Sequence, residues 1–188
     1  MADYVQKKRK ELFLFGEQLS VLDVRSFYYL KKELGRSVRN SNELLYDAGK
    51  DAVQKMQSSF VKFLGDSARV LMSDPENALN EFVEVLNYLG LGEISIPESG
   101  LKTIKFVVRH SAEAQEYVNL KERSKSPVCY ALAGIFAGVC EGILQNPVEC
   151  KETRCIACGE EVCEFVIPSG DDIILTRGGG DDRQGHKA

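Results

Sequence analysis

The sequence predicts an α+β domain in which helices pack on a mostly antiparallel sheet. Three observations carry this. Between residues 25 and 89 apolar side chains recur at spacings of three and four, the mark of helices with one buried face. From residue 93 to 109 the pattern changes to runs of β-branched residues. A long apolar segment, Pro127 to Leu144, is then followed by two further strand-like runs that end at Ile167.

The elements follow in order. Residues 1–24 form a polar N-terminal extension in which Lys7, Lys8, Arg9 and Lys10 read as the solvated start of a helix. Arg25 to Gly35 reads as the first core helix, with Phe27, Leu30 and Leu34 on one face. Ser41 or Asn42 caps a longer helix through Leu64, striped by Leu45, Ala48, Ala52, Met56, Phe60 and Phe63, and Gly65 stops it. Asp74 followed by Pro75 is a strong helix start, a capping carboxylate and then a proline at the first helical position. That helix carries Leu79, Phe82, Val83, Leu86 and Leu89 and closes at the Gly90 to Gly92 turn.

Glu93 to Ile96 and Leu101 to Arg109 read as a hairpin, with Pro97 to Gly100 as its turn. Ser111 caps a helix through about Glu122, and a charged loop leads to the Pro127 helix. Val148 to Ile156 and Cys163 to Ile167 read as strands around a Gly159 turn, Ile173 to Thr176 as a further strand. The single domain is thus expected to span residues 1–177. Residues 178–188 have almost nothing to bury and read as a disordered tail.

Composition excludes several function classes. The chain has 188 residues, 44% hydrophobic and 28% charged, which suits one globular domain with a real core. Its net charge of -4 argues against a general affinity for nucleic acid, which needs many phosphates neutralised. The Pro127 to Leu144 run is interrupted by Glu141 and lacks flanking anchors, so a buried helix is expected there and no stable membrane insertion. No phosphate loop, dinucleotide fingerprint or nucleophile elbow is present, which leaves no catalytic residue to nominate.

All six cysteines lie between Cys129 and Cys163. A chain of this size and apolar content does not need disulfides for a core, so a reducing, cytoplasmic setting is expected. Spacing alone offers Cys150, Cys155, Cys158 and Cys163 as a four-thiolate metal knot. It also leaves open a redox Cys-x-x-Cys pair or thiols that simply fill a core.

The stretch PVCYALAGIFAGVCEGILQNPVECKETRCIACGEEVCEFVI, residues 127–167, resembles the C-terminal signature of the 4-vinyl-reductase domain family, which occurs as free-standing archaeal proteins and as the sensory domain of aromatic-catabolism regulators. LFGEQLSVLDVRSFYYLKKEL and VVRHSAEAQ extend the resemblance more weakly upstream. It implies an α+β fold like that of TRAPP vesicle-tethering subunits. It also implies a structural Zn²⁺ on Cys129, Glu152, Cys155 and Cys163, a set that leaves no position for a catalytic water. One geometric demand follows: Glu152 and Cys155 are an odd number apart, so a turn or bulge must bring them to one side. The four-thiolate set remains the alternative.

The resemblance further implies binding of a small hydrophobic or aromatic molecule by a homodimer, with the signal passed to a separate partner. Phe106, Val108, His110, Tyr130 and Phe136 are the candidate pocket residues, although aromatic residues at such spacings are more often plain core. Gly134, Gly138 and Gly142 leave one side of the Pro127 helix bare for another helix or a ligand, helix packing being the commoner reason. The rival functions are a reductase or tetrapyrrole-handling accessory, which lacks a visible nicotinamide or flavin site, and an assembly or tethering module.

Overall fold

The computed structural model describes residues 5–8, 11–20, 22–100 and 103–168; the expected strand at Ile173 to Thr176 and the tail lie outside them. Helices pack against an antiparallel sheet, as the sequence pattern predicts.

The chain begins differently from expectation. In place of a basic helix start it forms a small antiparallel meander, β1 (Val5–Lys8), β2 (Glu11–Leu14) and β3 (Glu17–Leu19). These strands are too short to show a period, and their β2–β3 turn is made by Phe15 and Gly16, both at positive φ, without the Asn-Gly or Asp-Gly pair that announces a hairpin. Phe15 turns inward and meets Phe60 with ring centroids 4.8 Å apart.

Four helices follow: α1 (Val24–Ser37), α2 (Ser41–Leu64), α3 (Asp66–Met72) and α4 (Pro75–Tyr88). Asp23 caps α1 by accepting from the Ser26 amide at 3.1 Å, and Asp74 caps α4 through the Asn77 amide at 3.2 Å. Ser41 is the first residue of α2, after Asn40, and neither it nor Asn42 is the cap. Gly65 ends α2 but the chain turns straight into α3, one short helix that the sequence pattern does not announce.

The main sheet contains β4 (Glu93–Gly100), β5 (Thr103–Arg109), β6 (Lys151–Arg154) and β7 (Cys163–Pro168) in the order β4-β5-β7-β6, every neighbour antiparallel. Pro97 to Gly100 belongs to β4 and is no turn. Pro97 is tolerated because β4 is an edge strand whose register with β5 shifts between Ser95 and Glu98. Asn87 of α4 brackets Ile94, donating to its carbonyl and accepting from its amide, which fixes the sheet edge to α4.

Helices α5 (Gln115–Asn119) and α6 (Tyr130–Leu144) lie between β5 and β6. Both are shorter than expected. Ser111 does not cap α5, since its hydroxyl is committed to the Cys129 sulfur at 3.4 Å. Residues 127–129 precede α6 without regular secondary structure.

Helix α6 is the centre of the molecule. On one side Phe136 stacks on Phe106 of β5, centroids 4.1 Å apart and planes 4° from parallel, and meets Phe165 of β7 edge-on at 5.0 Å. On the other, Gly134, Gly138 and Gly142 let α2 come so close that an added Cβ would strike Tyr46 and Lys50 backbone or the Gln57 amide. The glycine repeat is therefore a helix-packing device. Glu141, which broke the apolar run, takes the Lys50 ammonium and the Val148 amide on Oε1 and the Gln54 amide on Oε2. Among the described residues no helix is long and apolar enough to cross a membrane.

Candidate metal centre

Cys129, Glu152, Cys155 and Cys163 converge where the N-terminus of α6 meets the β6–β7 end of the sheet. One ligand atom from each lies within 4.8 Å of all the others. The elements explain the convergence. Cys129 is the residue just before α6, Glu152 is the inward residue of β6, Cys155 follows β6 directly, and Cys163 opens β7 with its side chain inward. The odd spacing of Glu152 and Cys155 is absorbed by a register shift between Glu152 and Arg154, after which Cys155 leads into the 3₁₀ turn Ile156–Cys158.

The three sulfurs are 3.8, 3.9 and 4.0 Å apart. Sulfurs bound at about 2.3 Å to one tetrahedral ion would be separated by about 3.8 Å, so the triangle already has the right edge. Glu152 Oε2 accepts the Cys129 amide at 2.8 Å, while its Oε1 is buried with no hydrogen-bond partner among the described residues. An orphaned buried carboxylate oxygen is costly unless something positive meets it.

The protonation pattern points the same way. Hydrogen bonds from Cys129 and then Cys163 hold the Cys155 thiol far below its ordinary range. Burial, then the bonds to Cys155 and Cys163, pushes Cys129 well up. Its bond with Cys129 favours the Cys163 thiolate, but Cys155 and burial outweigh it and Cys163 also rises. Glu152 is pushed up to about 8, by burial first and the Cys155 charge second. Packed without a cation, four ionisable groups this close oppose one another's charge; a divalent ion would let all four ionise. Three soft thiolates with one carboxylate suit zinc and give a closed shell.

The remaining cysteines stand outside this group. Cys140 and Cys150 are buried, and the amide of Cys150 donates to the Tyr46 hydroxyl at 3.0 Å. Cys158 sits half-buried on the 3₁₀ turn. All six are free thiols.

Sequence reasoning missed the carboxylate that shares this end of α6. Glu113 accepts the amides of Ala131 at 3.2 Å and Leu132 at 2.9 Å, so Glu113 and Glu152 together take the Cys129, Ala131 and Leu132 amides at the start of the helix. Its only sequence signal is an acid among SAEAQE, which reads equally well as the exposed first turn of α5.

Of the candidate pocket residues, Phe106, Val108 and Phe136 are fully buried in the seam between α6 and the sheet, Tyr130 is half-buried, and His110 is exposed at positive φ after β5. Open space lies elsewhere. A cleft of about 550 Å³ separates β2 and β3 from α2, floored by Leu14, Phe15, Leu19, Met56 and Leu89. An open groove of about 670 Å³ runs between α2 and the C-terminal end of α6, beside Met72 and Phe82.

Residues 105–168 match the model of the 4-vinyl-reductase domain. Two uncharacterized proteins of Methanocaldococcus jannaschii are 24% identical over 130 residues and 25% identical over 164 residues, covering 69% and 85% of this chain. The matches span 66% and 58% of those relatives' own length. Among solved structures, the phenol-responsive sensory domain of the transcription activator PoxR, with phenol, is similar with a TM-score of 0.66 and 16% identity, over 88% of this chain and 85% of that one. A trafficking protein particle complex subunit 3 from Naegleria fowleri, covalently bound to palmitic acid, gives 0.56 and 16% over 77% and 91%. A vinyl-4-reductase family protein from Methanocaldococcus jannaschii gives 0.55 and 16% over 81% and 85%.

Proposed function

We propose, on the premise that residues 105–168 are matched by the 4-vinyl-reductase domain, that the protein binds or senses a small hydrophobic or aromatic molecule on a fold pinned by a structural zinc ion. The observation that carries the reading is the fold shared across 88% of the chain with a sensory domain named as phenol-responsive. The sulfur triangle and the orphaned Glu152 oxygen support the zinc, with Cys129, Glu152, Cys155 and Cys163 as its ligands. A closed shell of that kind stabilises the fold and performs no chemistry on the ligand.

The ligand seat in this reading is the seam of Phe106, Val108, Tyr130 and Phe136, with His110 beyond its end. That seam is filled by the stacked rings of Phe106 and Phe136, so a ligand enters only where α6 parts from the sheet. Burial of an aromatic molecule contributes about 25 cal/mol per Å² and biases the domain toward the parted state. We further place the protein in the cytoplasm as a homodimer that passes this state to a separate partner. Free thiols throughout support the reducing compartment, and half-exposed Tyr29 and Leu30 on α1 offer apolar surface for a second copy.

A second reading is favoured by the apolar floor of the β2–β3 cleft, which suits an acyl chain in an assembly or tethering module. Among the described residues no cysteine lines that cleft, so such a chain would be held without a thioester. Thermal-shift titration with phenol, toluene and decanoate separates the readings, alongside Phe136→Leu and a cleft-filling Ala52→Trp. Loss of the phenol response in the Phe136 variant supports the seam; loss of the decanoate response in the Ala52 variant supports the cleft. Absence of any shift with all three probes sinks ligand binding in both forms. Native mass spectrometry reports whether one zinc ion accompanies the chain.

A further inference from the structure

Helix α1 reaches the metal centre through one buried ion pair. The ammonium of Lys31 lies 2.8 Å from Glu113 Oε1, and their side chains are only 8% and 4% exposed. The same ammonium donates to the Val128 carbonyl at 2.6 Å and to the Glu113 carbonyl at 3.4 Å, so its three protons have three acceptors. Val128 immediately precedes Cys129, and Glu113 holds the amides of Ala131 and Leu132 that follow it. Ser111, two residues before Glu113, contacts the Cys129 sulfur. Cys129 is therefore braced from both chain directions by groups that converge on Lys31.

Beyond this pair, the buried Tyr28 donates to Glu122 at 2.6 Å, and the remaining charged contacts of α1 carry a solvated cation. Arg25, which pairs with Glu116, is 70% exposed, and Lys32 meets Glu122 at a half-exposed site. A pair whose cation is solvated contributes less to docking than one buried on both sides. A buried pair behaves differently: without Lys31, the buried Glu113 charge keeps its two α6 amides but loses its countercharge, the Val128 carbonyl loses the ammonium donor, and without ordered 128–132 backbone Lys31 has nowhere to place its own charge.

We infer that Lys31 and Glu113 are positioning residues of the metal centre, and that they make the docking of α1 and the binding of the metal one coupled equilibrium. The inference rests on the proposed zinc site. By reciprocity, whatever factor α1 docking adds to metal affinity, the metal returns to α1 docking. Helix α1 is then the element that loosens when the centre empties.

The full chain carries the test. Zinc affinity is measured by competition with a chromophoric chelator for wild type, Lys31→Met, Glu113→Gln, their double variant and the rim control Arg25→Gln. Outer residues that orient metal ligands typically change affinity 10- to 100-fold, so Lys31→Met and Glu113→Gln are each expected to weaken zinc by about that factor. The double variant is expected to lose no more than the worse single one, and Arg25→Gln to match wild type. Hydrogen exchange on the unmutated protein reads the coupling without any variant: stripping zinc is expected to raise exchange across residues 24–37 well above that of α4. Zinc binding as tight in folded Lys31→Met and Glu113→Gln as in wild type overturns the inference while leaving the zinc site standing, as does α1 exchange indifferent to zinc. A wild-type chain that holds no zinc overturns both.

Discussion

At its N-terminal end α6 is held by charge and hydrogen bonds, with Glu113 and Glu152 on its first amides and three sulfurs gathered at Cys129, whereas its middle is held by shape, with Phe136 between two rings and Gly138 against α2. The first kind of contact depends on protonation and, with the proposed zinc, on a cation. The second depends on neither. A domain held in this way can loosen one end of its central helix while the other keeps the fold assembled.

Deleting the ring of Phe136 should produce the largest effect. Phe136→Ala removes a fully buried side chain from between Phe106 and Phe165, and such truncations cost about 3–5 kcal/mol. Urea denaturation is expected to show that loss equally with zinc bound and with zinc chelated. A cost that vanishes on chelation would mean the two ends of α6 are not independent.

Chelation is the complementary experiment. A metal present at a thousand times its dissociation constant adds about 4 kcal/mol to the folded state, and stripping it should remove that amount from wild type but nothing from Cys163→Ser. The sign of the pH effect follows from the thiols. Burial and the neighbouring Cys155 make Cys129 and Cys163 keep their protons, so metal binding must displace protons and tightens as pH rises. Zinc affinity is expected to climb between about pH 6 and pH 8. The effect of Phe136→Ala on stability should stay flat across the same range.

Much of this contrast was legible in the sequence, though unevenly. The family resemblance picked out the four side chains that the fold gathers, where cysteine spacing alone pointed to Cys150 and Cys158. Spacing fails because it treats proximity in the chain as proximity in space, and Cys129 is brought in from the far side of α6. The Asp74-Pro75 start, the glycine stripe and the period change at residue 93 were readable because each is a strong local preference. Lys31 and Glu113 were not, because in KKEL and SAEAQE they look like ordinary solvated charges and only tertiary packing buries them. The N-terminal meander escaped for the opposite reason, its strands being too short to show any period.

The glycine stripe gives the finest probe of the shape-held end. A methyl at Gly134 would run into the Tyr46 carbonyl of α2, which is backbone and cannot step aside without moving the helix. Gly134→Ala is therefore expected to cost about 1–3 kcal/mol despite alanine's better helix propensity. At Gly142 the obstacle is the side-chain amide of Gln57, which can swing away but then gives up its 2.9 Å bond to the Val139 carbonyl. Losing one buried hydrogen bond costs about 1 kcal/mol, and replacing a helical glycine by alanine returns nearly as much. Gly142→Ala should thus lie within about 0.5 kcal/mol of wild type in urea denaturation. An equal and large loss at both positions would show that α2 and α6 are one rigid unit along their whole contact, with no tolerance toward the open groove at the C-terminal end of α6.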